Sequence, residues 1–211
     1  FSKNYYYPSI NFKISISKKV KFFLKKLLPS IFSSGVTQIN ILVGTIIASF
    51  QAGAVSYLYY ADRVYQINLA IAGIAVGTVS LPVLANAIKK NNNSTITKIQ
   101  NKSIELSLLL SFPAAAGLII GSEEIVSALF GYGSFSIEDV SLTSKALKLF
   151  GLGIPAFALI KILSNFYFAR DNTKIPFYLS ILIVSINVLV SLIFFKEFGF
   201  LIIPFATTLS T

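Results

Sequence analysis

Arg63 and Lys161 are the residues of this chain with the clearest capacity for chemistry, because both sit inside long apolar runs. An ionised side chain at that depth in a membrane costs about 2.5–3.5 kcal/mol on insertion scales, so each needs a compensating role. At helical spacing, Arg63 has Tyr59, Tyr60, Gln66 and Ile67 three or four residues away, and none is acidic. Asp62 diverges from it by about 100° and meets Gln66 at its own i+4 position. Arg63 can therefore offer a planar fork to an anion, a phosphate above all. The competing reading is an acid on another helix, or snorkelling through the Tyr57, Tyr59 and Tyr60 belt. Lys161, with Ser164 and Asn165 on its face, either lines a wet cavity or snorkels alongside Arg170. Asn40 belongs to a polar stripe with Thr37 and Gly44, suited to helix–helix hydrogen bonding or to a solute path. No nucleophile stands beside a base, and the pairs Glu123–Glu124 and Glu138–Asp139 read as exposed loop acids, so no enzyme is expected.

The elements that must position these groups are membrane helices. The 211 residues are 55% hydrophobic and 12% charged, and the mean hydropathy is +0.75, outside the balance of a soluble domain. Cys and His are absent, which excludes disulfides, thiol redox chemistry and Cys/His zinc sites. A spanning helix needs about 20 apolar residues. Residues 27–50, 64–88 (starting near Val55), 106–122, 149–169 and 175–195 meet that need, and a sixth run begins near Phe198. The expectation is an all-α polytopic bundle with five complete spans and one truncated span. The chain reads as an internal piece of a larger membrane protein: a basic cytoplasmic linker or interfacial segment at 1–26, then a transmembrane lobe at 27–211. Ser136 and Asp139 form the pattern of a capping box, so the fourth helix should start there. Gly73 and Gly77 are spaced for close helix packing, and Pro82 should bend the second span.

A formal net charge of +10 raises the question of nucleic acid, but the distribution answers it. With 27–50 running inside to outside, residues 1–28, 89–102 and 170–174 are cytoplasmic and hold 13 of the 18 Lys and Arg. That is the positive-inside pattern of a membrane protein, and no nucleic-acid partner is expected.

The blocks Gln38-Ile39-Asn40, Ala48-Ser49, the run Gly53-Ala54-Val55-Ser56-Tyr57-Leu58-Tyr59-Tyr60-Ala61-Asp62-Arg63-Val64-Tyr65-Gln66, then Gly73-Ile74-Ala75-Val76-Gly77-Thr78 and Leu81-Pro82 closely resemble the MurJ/MviN family of lipid II flippases. Lys161-Ile162-Leu163 and the following Phe166-Tyr167-Phe168-Ala169-Arg170-Asp171-Asn172-Thr173-Lys174-Ile175-Pro176 resemble the same family's Lys-containing helix and inner loop. The resemblance covers residues 27–211. It implies two six-helix lobes facing a central cavity, this chain being most of the second and its partner the first lobe of the same protein. It further implies a bacterial inner-membrane transporter that moves lipid II to the outer leaflet by alternating access. Arg63 matches the family's cavity arginine, expected to meet the substrate's pyrophosphate, with Asp62, Gln66, Lys161 and Asn40 as the other substrate-site residues. Asn187 and Thr207 match polar ligands of a sodium site, while the carboxylate positions of that site are Gly44 and Ser191, and these neutral residues count against it. No cofactor is expected; coupling to sodium or to the membrane potential stays open at the level of sequence. Cation-coupled multidrug exporters and polysaccharide-lipid flippases of the same superfamily are the alternative, and a non-transporting membrane scaffold is the alternative from another class.

Overall fold

The computed structural model describes residues 20–21 and 38–211. Of the expected linker at 1–26 only Val20 and Lys21 fall within it, and residues 27–37 of the first expected span, including Thr37, lie outside the described residues. From there the chain is helical: α1 (Gln38–Ala48), α2 (Ala54–Leu69), a π turn (Ala70–Ala75), α3 (Val76–Lys89), α4 (Asn93–Ile120), α5 (Ser122–Phe130), α6 (Ile137–Phe168), α7 (Lys174–Phe198), a 3-10 turn (Gly199–Leu201) and α8 (Ile202–Ser210). The runs Ala54–Lys89, Asn93–Ile120, Ile137–Phe168 and Lys174–Ser210 are long and apolar enough to cross a membrane. The last of these is folded on itself. Gly199, at φ 59°, reverses the chain so that α8 packs back on α7 and α6. A side chain at Gly199 would be strained there and would also crowd Gln51, whose Oε1 would stand 2.8 Å from its Cβ.

Lipid tails are as apolar as Leu, so small residues and polar contacts must bring these helices together. α4 shows the device plainly. Ser103, Ser107, Ser111 and Ala115 recur every fourth residue, all buried, and this stripe runs along α6 and the π turn. The Ser107 hydroxyl donates to the Ala72 carbonyl at 2.8 Å, inside the π turn. The second span is thus irregular upstream of Pro82, where the widened turn presents a carbonyl to a neighbouring helix. Gly73 and Gly77 do mediate close packing, as expected: a Cβ on Gly73 would lie 3.1 Å from the Ala158 backbone, and one on Gly77 would overlap the Asn165 amide. α6 is the central helix, in contact with α2, α4, α5 and α8. By contrast α7 turns Leu182, Leu189, Leu192 and Ile193 outward, the face expected toward lipid.

The two ends of the bundle carry opposite chemistry. At one end Ser136 and Asp139 form the expected capping box, with Asp139 N–H donating to Ser136 Oγ at 3.1 Å and Ser136 N–H to Asp139 Oδ2 at 2.7 Å. Tyr57 donates to the other Asp139 oxygen at 2.8 Å, and the Phe200 N–H donates to Gln51 at 2.9 Å. The expectation that Glu123–Glu124 and Glu138–Asp139 are loop pairs is corrected here. Both pairs occupy first helical turns, of α5 and α6, where unpaired N–H groups and the helix dipole favour acids. At the opposite end Arg170 donates to the Phe166 carbonyl at 3.1 Å, and the Gln100 amide stands beside it, so that with its oxygen and nitrogen exchanged the oxygen accepts from both guanidinium nitrogens at 3.2 Å. The basic segments 89–102 and 170–174 therefore share one end.

Candidate functional site

α1, α2, α6, α7 and α8 converge on a cavity of about 300 Å³, lined among others by Asn40, Gly44, Tyr59, Asp62, Asn187 and Thr207. Five residues singled out from sequence, distributed over 168 positions of chain from 40 to 207, thus meet at one place. α2 supplies Val55, Leu58, Tyr59 and Asp62, one helical face at 100° per residue. Asp62 is partly buried and accepts a hydrogen bond from the Gln66 amide, the i+4 contact expected from sequence. Arg63, one residue on, is exposed on the adjoining face and forms no ion pair with any described residue. Its guanidinium carbon lies 4.7 Å from the centre of the Tyr59 ring. The ring neutralises nothing. It holds the cation by its quadrupole, leaving the N–H fork free for an anion.

Tyr59 is the residue that sequence reasoning left in the background. It lines the cavity and carries Arg63, and its spacing four residues before Arg63 was the signal available. The Asn40 Oδ1 is buried without a hydrogen-bond partner among the described residues, an acceptor at the cavity wall. Asn187 and Thr207 are joined directly: Asn187 Nδ2 donates to Thr207 Oγ1 at 2.8 Å, and Thr207 Oγ1 donates on to the Ile203 carbonyl at 2.7 Å. A Cβ at Gly44 would rest 3.5 Å from Ile203, an ordinary contact. Ser191, one turn along α7 from Asn187, is buried with its hydroxyl unpartnered. Lys161 is not brought to the cavity wall; it is exposed, farther along α6. Arg63 and Gln66 likewise stand beside the cavity and do not line it.

Comparison with known proteins identifies this arrangement. A family model described as lipid II flippase MurJ matches residues 5–211. The chain belongs to the MurJ family. Among similar MurJ-family proteins, the probable lipid II flippase MurJ of Rhizobium meliloti (strain 1021) is 44% identical over 182 residues, covering 86% of this chain and 34% of that protein. The corresponding protein of Rickettsia prowazekii (strain Madrid E) is 41% identical, covering 78% and 33%. The chain thus spans about a third of the length of the curated relatives it matches. A solved lipid II flippase MurJ in an inward closed conformation superposes with a TM-score of 0.81 at 30% identity, covering 95% of this chain and 42% of that one. An outward-facing multidrug resistance MATE family transporter of the MOP superfamily gives 0.75 at 19% identity, covering 87% and 40%. At that identity the likeness is one of fold. The helical MurJ bundle expected from sequence is therefore established.

Proposed function

We propose that this chain forms most of the second lobe of a bacterial inner-membrane flippase for lipid II, an undecaprenyl-pyrophosphate-linked disaccharide-peptide, and that Arg63 grips the pyrophosphate. The observation that carries this reading is the state of Arg63: a guanidinium on a membrane-length apolar helix, without a carboxylate partner among the described residues, resting on an aromatic face beside a largely apolar cavity that holds Asn40, Asp62, Asn187 and Thr207. A pyrophosphate supplies paired oxygens in the geometry of two parallel N–H bonds. The first lobe and the membrane lipids are the remaining partners in this reading. The activity is transport by alternating access, with no covalent chemistry asked of the chain.

The same reading treats Asn187 and Thr207 as a pin between α7 and α8 and not as sodium ligands. Their hydrogen bond supports it, as does the neutrality of Gly44 and Ser191; Asp62, the carboxylate that lines the same cavity, is engaged by the Gln66 amide.

The test is rescue of cell-wall synthesis by the full-length parent after depletion of the native flippase, with membrane abundance checked by immunoblot. In the chain itself Arg63 is exposed with free donors; once it grips a pyrophosphate, truncating such a hydrogen-bonded charge costs about 2–5 kcal/mol, so Arg63→Ala should be close to null. Arg63→Lys keeps the charge but loses the fork and should lose most of the function. Full rescue by a normally expressed Arg63→Ala would make Arg63 a snorkelling residue and end this assignment.

A further inference from the structure

A second cavity of about 300 Å³ lies between Leu149, in the fourth turn of α6, and the α7–α8 reversal, and its wall is hydrocarbon: Leu149, Phe198, Leu201, Ile202 and Phe205. Phe198 is 60% exposed and Phe205 44%, so the cavity opens on the outside of the bundle. It is separate from the site described above, although both use α6 and α8. Leu149 and Ile202 line this one while Phe150 and Ile203 line the other. Adjacent helical residues diverge by about 100°, which places the two cavities on different sides of the same two helices.

Two lysines stand over this wall. Lys145, Lys148, Leu149 and Leu152 share one face of α6 at 100° per residue, and the lysines occupy the turn N-terminal to Leu149. Helical side chains lean toward the N-terminus. The ammonium groups therefore lean toward the capped end of α6, away from Leu149 and Leu152, which begin the apolar run expected to enter the membrane. Lys145 is exposed and Lys148 partly so, and neither forms an ion pair with any described residue. The nearest acid on that face is Glu138, two turns before Lys145; Lys196 and Glu197, next to Phe198 at the end of α7, are both exposed, form no ion pair with any described residue, and together add no net charge.

We propose that this is a binding site for an anionic phospholipid, one acyl chain in the apolar cavity and the phosphate on Lys145 and Lys148. The pairing of an unneutralised cationic rim with an open apolar wall, one helical turn apart, matches the two halves of such a lipid. A zwitterionic lipid leaves the rim uncompensated, and a free phosphate leaves the wall exposed. By the Lys/Arg bias of the chain the site faces the outer leaflet.

The experiment is native mass spectrometry of the purified full-length parent with added phosphatidylglycerol or phosphatidylethanolamine. The wild type should retain phosphatidylglycerol in preference. In the Lys145→Ala/Lys148→Ala double variant that preference should fall roughly ten- to thirtyfold, the effect of two basic side chains at a lipid headgroup. Lys145→Arg/Lys148→Arg should keep it. Leu201→Trp, which fills the cavity and spares the lysines, should lower retention of phosphatidylglycerol as well. Unchanged preference in the double alanine variant, unchanged retention in Leu201→Trp, or no preference in the wild type each overturns the proposal; the last is expected if another segment of the parent covers the cavity. Because lipid retention is read without transport, failure here is distinct from failure of the Arg63 assignment.

Discussion

At the scale of single residues, neighbours in sequence divide their labour. Asp62 faces the cavity and is engaged by Gln66, while Arg63 turns to Tyr59 and keeps its hydrogen-bond donors unspent. A cation–π contact contributes about 0.5–1 kcal/mol at exposed sites and about 2 or more when desolvated. Loss of Tyr59 should therefore misplace Arg63 without removing it. In the depletion-rescue assay the expected order of severity is Arg63→Ala, then Tyr59→Leu, then Asp62→Asn, with Tyr59→Phe near wild type because the ring face remains. A Tyr59→Leu variant as active as Tyr59→Phe would show that the ring does not position the guanidinium. Equal loss in Asp62→Asn and Arg63→Ala, at equal abundance, would show that the two side chains act on the ligand together.

At the scale of elements, the cost of moving a helix is concentrated where two backbones approach most closely. Gly77→Leu should destabilise the detergent-purified full-length parent by about 1–3 kcal/mol, since a side chain there displaces Asn165 and separates α3 from α6. Gly117→Ala on α4, where an added methyl meets nothing within 4 Å, is the control and should leave the melting temperature unchanged or raise it. A Gly77→Leu melt as high as wild type would mean that α3 and α6 separate at little cost. Helical period made the Gly73/Gly77 packing face, the Ser136–Asp139 cap and the Asp62–Gln66 pair legible in the sequence, because each joins residues a fixed number of positions apart or repeats on one face; that Asn165 of α6 is the partner of Gly77 was not legible. The π turn was not legible: residues 70–75 are all apolar or Gly, so no polar residue marks the change of pitch. α5 was missed because nine residues between Gly121 and Gly131 are too few to span, and their acids look like loop acids until the helix start beneath them is seen. The cavity itself needs α1, α7 and α8 to converge, and no local spacing encodes that; only resemblance placed Asn187 and Thr207 near one another.

At the scale of the molecule, the placement of Arg170 beside Gln100 and of Tyr57 beside Asp139 gives the helical bundle a basic end and an acidic end. The Lys/Arg bias predicts that the basic end is cytoplasmic. The chain contains no Cys, so single-cysteine labelling can be read directly. Asn92→Cys should be reached by membrane-impermeant maleimide only after the inner face is opened, and Tyr132→Cys, exposed between α5 and α6, should be labelled from outside in intact cells. Labelling of Asn92→Cys from outside alone would invert the topology.

The π turn has a bearing on how this span can vary in length. Five residues per hydrogen-bonded loop in place of four insert an extra residue, so the faces of α3 lie about 100° out of the phase that α2 would dictate if it continued unbroken. Deleting one residue within 70–75 would restore ordinary pitch at the expense of register: Gly77 would swing off Asn165, and either α3 or the Arg63 face would have to turn away from its place. Residue identity in this segment is loosely constrained by comparison, since every position is small or aliphatic. Residue count is the quantity that related sequences should hold fixed here.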